Sequence, residues 1–324
     1  VSIDQSAPRE TSAPGVTARQ AIAFLIERFG PGVTDLETLR QGGWSNAYAF
    51  RHDRQGHVIR FSTYRDDFDK DRFATRWTSP ALPVPAMSDI GEAFGGYYAV
   101  STHVPGTPLD DLAAPEFRAA IPALFAMLDA LRTANLTGTT GFGGWDGEGV
   151  ALCTTWQEYL LAVANDDPSL RNHGWRRQLA SSPVGIGRFD EAYAHLQELM
   201  PHLPAGRHLI HSDLLNHNML VDGSRISGVI DWGCGLYGDF LYDVAWFQHY
   251  WPWYPAWEKI DFVDALRGHY REIGLAVPYL DDRLRCYRIH IGLGDQAYNT
   301  YMRRWDLVER AATETLALAH GSMA

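Results

Sequence analysis

The chain has 324 residues, 46% of them hydrophobic, and a formal net charge of −11. That length accommodates a large buried core in one to three domains. The acidic balance argues against a nucleic-acid partner, which would need a basic face, and suits a cationic small molecule steered into an acidic cleft. Three widely spaced cysteines (Cys153, Cys234, Cys286) form no CxxC pair, so a disulfide framework or zinc site is not expected and a reducing cytoplasm is. No apolar run reaches the length of a membrane span and no signal-peptide core stands at the start, so the expected location is cytoplasmic.

Residues 1–15, rich in Ser, Pro and Ala, read as a loosely held tail. Residues 17–29 have helical periodicity and stop at Gly30-Pro31-Gly32. Short β-like segments follow at 36–40, 47–52 and 57–61. The loop 41–46, Gln-Gly-Gly-Trp-Ser-Asn, either simply makes a turn or lets backbone amides approach phosphates, which marks Gly42, Gly43 and Ser45 as a candidate nucleotide cover. On segment 57–61, Arg60 is the candidate cation for phosphates, because a guanidinium is permanently charged and binds phosphate in a fork. The helix expected at 66–77 offers Asp66, Asp67, Asp69 and Asp71 as acidic partners for it, with Asp71 preferred. An apolar strand at 96–101 runs into a Pro/Gly-rich linker at 102–108, where the backbone of Ser101, Thr102, His103 and Val104 would face a nucleotide base. These boundaries give an N-terminal lobe at 16–101, a hinge at 102–108 and a second lobe at 109–324. Helical patterns dominate the second lobe, at 115–134, 154–165, 189–200, 239–250, 257–273 and 280–316. The fold class is α+β, with a small β-rich lobe and a larger, mainly helical one.

The most informative stretch is 211–231. It opens His211-Ser-Asp213, places Asn218 five residues after Asp213, and ends a predicted strand at Asp231. Apolar runs at 219–221 and 226–230, split by Asp222-Gly223-Ser224, read as a hairpin that returns Asp231 beside Asn218. This is the order of the protein-kinase catalytic loop, in which the first Asp accepts a hydroxyl proton and the Asn and later Asp hold magnesium. Magnesium favours a few carboxylate or carbonyl oxygens alongside phosphate oxygens, which this set supplies.

With these motifs the chain resembles the aminoglycoside phosphotransferase family of kinase-like enzymes. The similarity runs over nearly the whole chain beyond the tail and includes Phe24-Leu-Ile-Glu-Arg-Phe29, Phe68-Asp-Lys-Asp-Arg72, Thr154-Thr-Trp156, Ile230-Asp-Trp232, Tyr237-Gly-Asp239 and Trp251-Pro-Trp253. The matches near 68–92 and 230–296 point within the family to the subgroup acting on hygromycin. The resemblance implies a two-lobed kinase-like fold, ATP as donor with GTP as the alternative, and two Mg2+ ions. It also implies Asp213 as catalytic base, Asn218 and Asp231 as metal ligands, and phosphorylation of an antibiotic that confers resistance. The chain departs from the kinase pattern in carrying Arg60 where kinases carry Lys, and in lacking a helix glutamate to pair with it. An acceptor rich in ammonium groups and hydroxyls suits carboxylates and flat aromatic faces. The candidates are Asp239, Asp243, Trp246, Gln248, Trp251, Asp295, Gln296 and Tyr298, with Asp239 alternatively capping its helix and bracing the catalytic loop. The protein is expected to act as a monomer on a small molecule, without a membrane or nucleic-acid partner.

Overall fold

The computed structural model describes residues 13–40 and 42–321; residues 1–12 of the expected tail, and Gln41 of the glycine loop, lie outside the described residues. Order is imposed early. The Val16 amide donates to the Asn46 side chain at 3.0 Å and its carbonyl accepts from the Tyr48 hydroxyl at 2.6 Å. Thr17 then caps the first helix, α1 (Ala18–Phe29), in a reciprocal exchange with Gln20.

The N-terminal region builds one antiparallel sheet from β1 (Thr34–Thr38), β2 (Ser45–His52), β3 (Gln55–Ser62), β4 (Met87–Ala93) and β5 (Gly96–Thr102), in the order β1-β2-β3-β5-β4. Helix α2 (Arg65–Ala74) enters after β3. Side chains alternate along a strand. Ile59 and Phe61 of β3 therefore join Tyr48, Phe50, Tyr98 and Val100 in a core closed by Ala21 and Leu25 of α1, and the intervening Arg60 turns to the opposite face, where α2 lies. Strand β4 was not foreseen. Its side chains are half-buried or exposed throughout, as befits an edge strand without a clean apolar alternation.

The C-terminal region begins with β6 (Thr107–Pro108), α3 (Ala114–Arg132), β7 (Phe142–Trp145), β8 (Ala151–Cys153), α4 (Trp156–Leu161), α5 (Trp175–Ala180) and α6 (Gly187–Leu199). It continues with β9 (His208–Ile210), β10 (Met219–Asp222), β11 (Arg225–Val229), β12 (Leu236–Gly238), α7 (Leu241–Tyr250), α8 (Phe262–Glu272), α9 (Leu280–Tyr301) and α10 (Trp305–Ala319). Two small sheets, β11-β10-β6 and β8-β7-β12-β9, are embedded among the helices. The fold is thus the α+β, kinase-like arrangement, β-rich at the N-terminal side and helical beyond. Its larger core also takes in Ala74, Trp77, Leu82 and Val84, so the chain between α2 and β4 packs with the helical region. Among the described residues no helix is long and apolar enough to cross a membrane, and Cys153, Cys234 and Cys286 are free thiols.

The single helix expected at 280–316 is two. The chain reverses at Met302–Arg304, with Arg303 left-handed (φ 57°) and the Arg304 amide bonded to the Asn299 carbonyl at 2.9 Å. No Gly or Pro announces this turn. Antiparallel packing of α10 on α9 demands it, and Gly292 permits the approach: a Cβ there would fall 2.1 Å from Thr315 Oγ1.

Helix α9 also buries His290, whose Nδ1 accepts from the Tyr242 hydroxyl at 2.9 Å. Burial pushes its imidazole down to about 3 from 6.5. The unfolded chain therefore binds a proton there that the folded protein refuses, and stability falls as pH drops from about 6.5 toward 3, by about 1.4 kcal/mol per pH unit for this group. His290→Gln is expected to flatten the slope of unfolding free energy between about pH 4 and 6 by that amount. Denaturant titrations across this range check it; an unchanged slope would mean the imidazole takes its proton freely in the fold.

Candidate active site

The catalytic-loop motif leaves β9 in a strained conformation. Ser212, Asn216, His217 and Asp231 all have φ between 58° and 69°, a region non-glycine residues adopt only when the surroundings hold them there. Asp243 supplies part of that hold, its two carboxylate oxygens accepting the amides of Ser212 (2.7 Å) and His211 (3.0 Å). The fully buried His211 donates from Nε2 to the Ile230 carbonyl at 3.0 Å, and burial drives its pKa down to about 4, so the ring stays neutral.

Asp213 is half-buried between two amides. Asn216 Nδ2 donates to its Oδ1 at 2.6 Å, and Asn218 Nδ2 donates to its Oδ2 at 2.9 Å and its backbone carbonyl at 2.8 Å. Desolvation raises the Asp213 carboxyl well above the ordinary carboxylate range; the two amides oppose the shift and the charge of Asp231 adds to it. With its nitrogen turned to Asp213, Asn218 keeps its carbonyl oxygen for another partner.

The hairpin of β10 and β11 returns as the sequence predicts, and the Ile230 amide closes on the main-chain carbonyl of Asn218 at 2.9 Å. Asp231 follows, its side chain about half exposed and 3.8 Å from Arg60 Nη1. Arg60 pairs with Asp71, whose other oxygen accepts the Trp232 amide at 2.7 Å. The preferred aspartate is therefore the partner of Arg60. It ties α2 to the segment carrying Asp231, and the neighbouring Lys70 adds a bond from Nζ to the Gly233 carbonyl at 2.5 Å. Asp213, Asn218, Asp231, Arg60 and Asp71 thus converge on one place. Asn218 and Asp231 offer the hard oxygen donors magnesium favours, and among the described residues no group of three or more His, Cys, Asp or Glu could hold an ion alone. An ion there would complete its shell from phosphate oxygens and water.

Beside Asp231 and Asp71 lies a small cleft lined by Val84, Met87, Ser101, Val229 and Ile230. Of the linker residues expected to face a base, two have their amides engaged within the protein. The Thr102 amide donates to the Ala86 carbonyl (2.9 Å) and the His103 amide to the Gly56 carbonyl (3.0 Å), so the sheet and its flank consume both donors. Val104 instead packs its side chain against the backbone of Gly228. In the glycine loop, the Gly42 amide meets the Ser45 carbonyl at 3.2 Å, which closes a tight turn through Gly42, Gly43 and Ser45. There Trp44 bonds through its side chain to Tyr298 of α9, and Arg40 contacts His217.

The acceptor candidates divide. Asp239 is fully buried, paired twice with Arg283 (2.6 and 2.8 Å) and bonded by the Tyr287 hydroxyl; it is a brace, with no surface for a ligand. Asp243 is equally buried and committed to the His211 and Ser212 amides. Trp251 is partly buried and wedged among Phe117, Trp257 and Phe262 at ring separations of 5.4–5.5 Å, so much of its ring is spent on packing against the core. Gln296 is buried and donates to its own helix at Gly292. Of these four, Asp243 of α7 and Gln296 of α9 lie on inward helix faces, and an inward face is most often core. Asp295, Tyr298, Trp246 and Gln248 remain partly accessible. Asp295 accepts the Tyr250 hydroxyl at 2.7 Å and His249 at 3.1 Å. Burial and the neighbouring Asp295 carboxylate raise the Tyr250 hydroxyl well above its usual range. Trp246 stacks obliquely on Tyr250 at 4.9 Å.

Several residues of this site carry no sequence signal. Asn216 is one more loop amide beside Asn218, Tyr250 one of 15 tyrosines, and Lys70 an ordinary helix lysine. Asp110, which accepts the Asn216 and His217 amides, looks in sequence like half of a solvated acid pair.

Comparison with known proteins agrees with this geometry. Residues 37–279 match the phosphotransferase enzyme family, APH. The chain is 34% identical over 289 residues to a hygromycin-B 4-O-kinase of Escherichia coli, covering 89% of this chain and 80% of that protein. The crystal structure of aminoglycoside phosphotransferase APH(4)-Ia superposes with a TM-score of 0.82 at 30% identity, over 95% of this chain and 100% of that one. A thermostable mutant of that enzyme, in ternary complex with AMP-PNP and hygromycin B, superposes at 0.80 with 31% identity, over 93% of this chain and 98% of that one. The kinase-type loop, the Arg60–Asp71 pair and the family match over three quarters of the chain have one reading: this protein is a phosphotransferase enzyme and belongs to the aminoglycoside phosphotransferase (APH) family.

Proposed function

We propose that the protein transfers the γ-phosphoryl group of ATP to a hydroxyl of hygromycin B or a closely related aminocyclitol glycoside, and so confers resistance. The observation that carries this is the Asp213 carboxylate held between Asn216 and Asn218, within a site that also gathers Arg60, Asp71 and Asp231. The relatives named for hygromycin, alike over most of the chain, support the choice of acceptor.

The chemistry follows from these positions. Asp213 orients the acceptor hydroxyl and takes its proton as the new phosphorus–oxygen bond forms and the bond to the leaving ADP breaks. Magnesium, when bound, neutralises phosphate charge and aligns the transferring group. Asn218 and Asp231 would hold it, and Arg60, kept in place by Asp71, offsets phosphate charge from the other side. The apolar cleft at Val84, Met87, Val229 and Ile230 takes the base, with residues 102–108 as the hinge between lobes 16–101 and 109–324. Asp295, Tyr298, Trp246 and Gln248 present carboxylate, hydroxyl, ring and amide groups to a polycationic, hydroxyl-rich acceptor, whose ammonium groups a carboxylate such as Asp295 would attract.

A coupled turnover assay with ATP and magnesium, run against hygromycin B, other aminoglycosides and small alcohols, tests the proposal. Turnover on hygromycin B with a product carrying one added phosphate is the expected result, together with weaker magnesium-nucleotide binding in Asp231→Ala. A metabolic acceptor is the second reading, favoured by a short stretch of 44 residues that is 48% identical to a homoserine kinase of Neisseria meningitidis, 14% of each chain. Turnover on small alcohols with none on any antibiotic would establish that reading in place of the first.

A further inference from the structure

We propose that Asp110 is a positioning residue for phosphoryl transfer: its carboxylate fixes the backbone of Asn216 and His217 and, through Asn216, sets the Asp213 carboxylate. The inference rests on the reading of Asp213 as the proton acceptor.

Asp110 stands in a single helical turn just after β6, in the segment that leaves the linker. Its Oδ1 accepts the Asn216 amide at 2.9 Å and the Tyr254 hydroxyl at 2.6 Å, and its Oδ2 accepts the His217 amide at 3.0 Å. Two successive left-handed residues, Asn216 (φ 63°) and His217 (φ 69°), thus turn their amides onto one carboxylate. Non-glycine residues adopt that region at a conformational cost, and charge-assisted bonds are the strong kind that offset such a cost. The backbone conformation aims the Asn216 side chain, whose Nδ2 donates to Asp213 Oδ1 at 2.6 Å. A continuous chain of bonds therefore runs from Tyr254 through Asp110 and Asn216 to Asp213. The His217 ring is held in addition at Nε2, which accepts from the Arg40 guanidinium. A neutral amide would not replace Asp110, because one end of an asparagine would turn N–H groups toward an amide N–H.

The test measures kcat, nucleotide affinity and thermal stability in Asp110→Asn, Asp110→Ala and Tyr254→Phe, with Asn216→Ala and the Asp110→Asn/Asn216→Ala double variant. A misplaced catalytic group loses rate on the order of 10–100-fold; the two Asp110 variants should show this in kcat while nucleotide Kd stays within about twofold. Tyr254→Phe, which leaves both amide bonds intact, should lose only a few-fold. The double variant should be no slower than the slower single one, since residues acting in series are not additive. Should Asp110→Ala fail to fold, Asp110→Asn and Tyr254→Phe carry the test. Wild-type kcat in folded Asp110→Asn, or losses that multiply in the double variant, would overturn the proposal. Rates are read on the acceptor and as acceptor-free ATP hydrolysis. A wild-type protein that hydrolyses ATP in an Asp213-dependent way yet leaves hygromycin B untouched sinks the acceptor reading alone.

Discussion

Asp213→Ala is expected to lose about 10²–10⁴-fold in kcat, the range that a positioned general base contributes, while nucleotide affinity changes little. The asymmetry comes from where the side chain sits. Its two oxygens face Asn216 and Asn218, whereas Arg60 and the cleft proposed for the nucleotide pair with or border Asp71 instead. Truncation removes the proton acceptor and leaves that pair and cleft intact. It also frees the Asn218 amide to turn, so Asp213→Asn, which keeps the packing, separates loss of the base from disorder of its neighbours. Single-turnover rates beside equilibrium nucleotide binding decide the matter; equal losses in both would remove Asp213 from the role of base.

Asp239→Ala should cost about 3–5 kcal/mol in unfolding free energy, because removing one partner of a buried pair strands the other. Asp239 is fully buried, Arg283 is nearly so, and they share two bonds. The Tyr287 hydroxyl adds a third partner and in turn accepts from Trp156 at 3.2 Å. This network joins α4, the start of α7 and α9, three elements far apart in sequence. Replacing Asp239 and Arg283 together by Leu and Met is expected to recover much of the loss. Guanidinium titrations of the three variants measure it. Any variant that stays folded should keep its acceptor KM, and a raised KM at full folding would return Asp239 to the acceptor site.

Both effects concern one short stretch of chain, yet they were unequally legible. Asp213, Asn218 and Asp231 could be read because local geometry dictates them: a loop leaving a strand, a fixed offset of five residues and a two-strand hairpin bring three oxygen donors together with no help from distant chain. Arg60 was legible for a similar reason, since strand alternation turns it away from Ile59 and Phe61. Its partner Asp71 was one of four aspartates on a short helix, and only the approach of Trp232 and Arg60 from two other elements singled it out.

Where a residue's environment comes from remote segments, the pattern misled. The spacing of Asp239 and Asp243, four apart, reads as one helix face and suits a polycationic ligand as well as a brace, but α7 starts only at Leu241; the choice lay with Arg283 and with the His211 and Ser212 amides, from α9 and the catalytic loop. Trp251 stood in a Trp-Pro-Trp run that could wall a sugar site, until α3 and α8 brought Phe117 and Phe262 against it. The amides of Thr102 and His103 were lost to carbonyls of Ala86 and Gly56 for the same reason.

The amino-acid sequence alone determined the α+β class, the family and the chemical core of the site, because periodicity, turn residues and the spacing of a few polar groups act over short distances. Tertiary structure alone decided which acidic and aromatic residues face the cleft and which are buried, where the last long helix breaks, and how Asp110 and Asp243 grip the strained loop. Burial, ion pairing and the holding of left-handed backbone depend on what packs from elsewhere in the chain, and no local pattern records that.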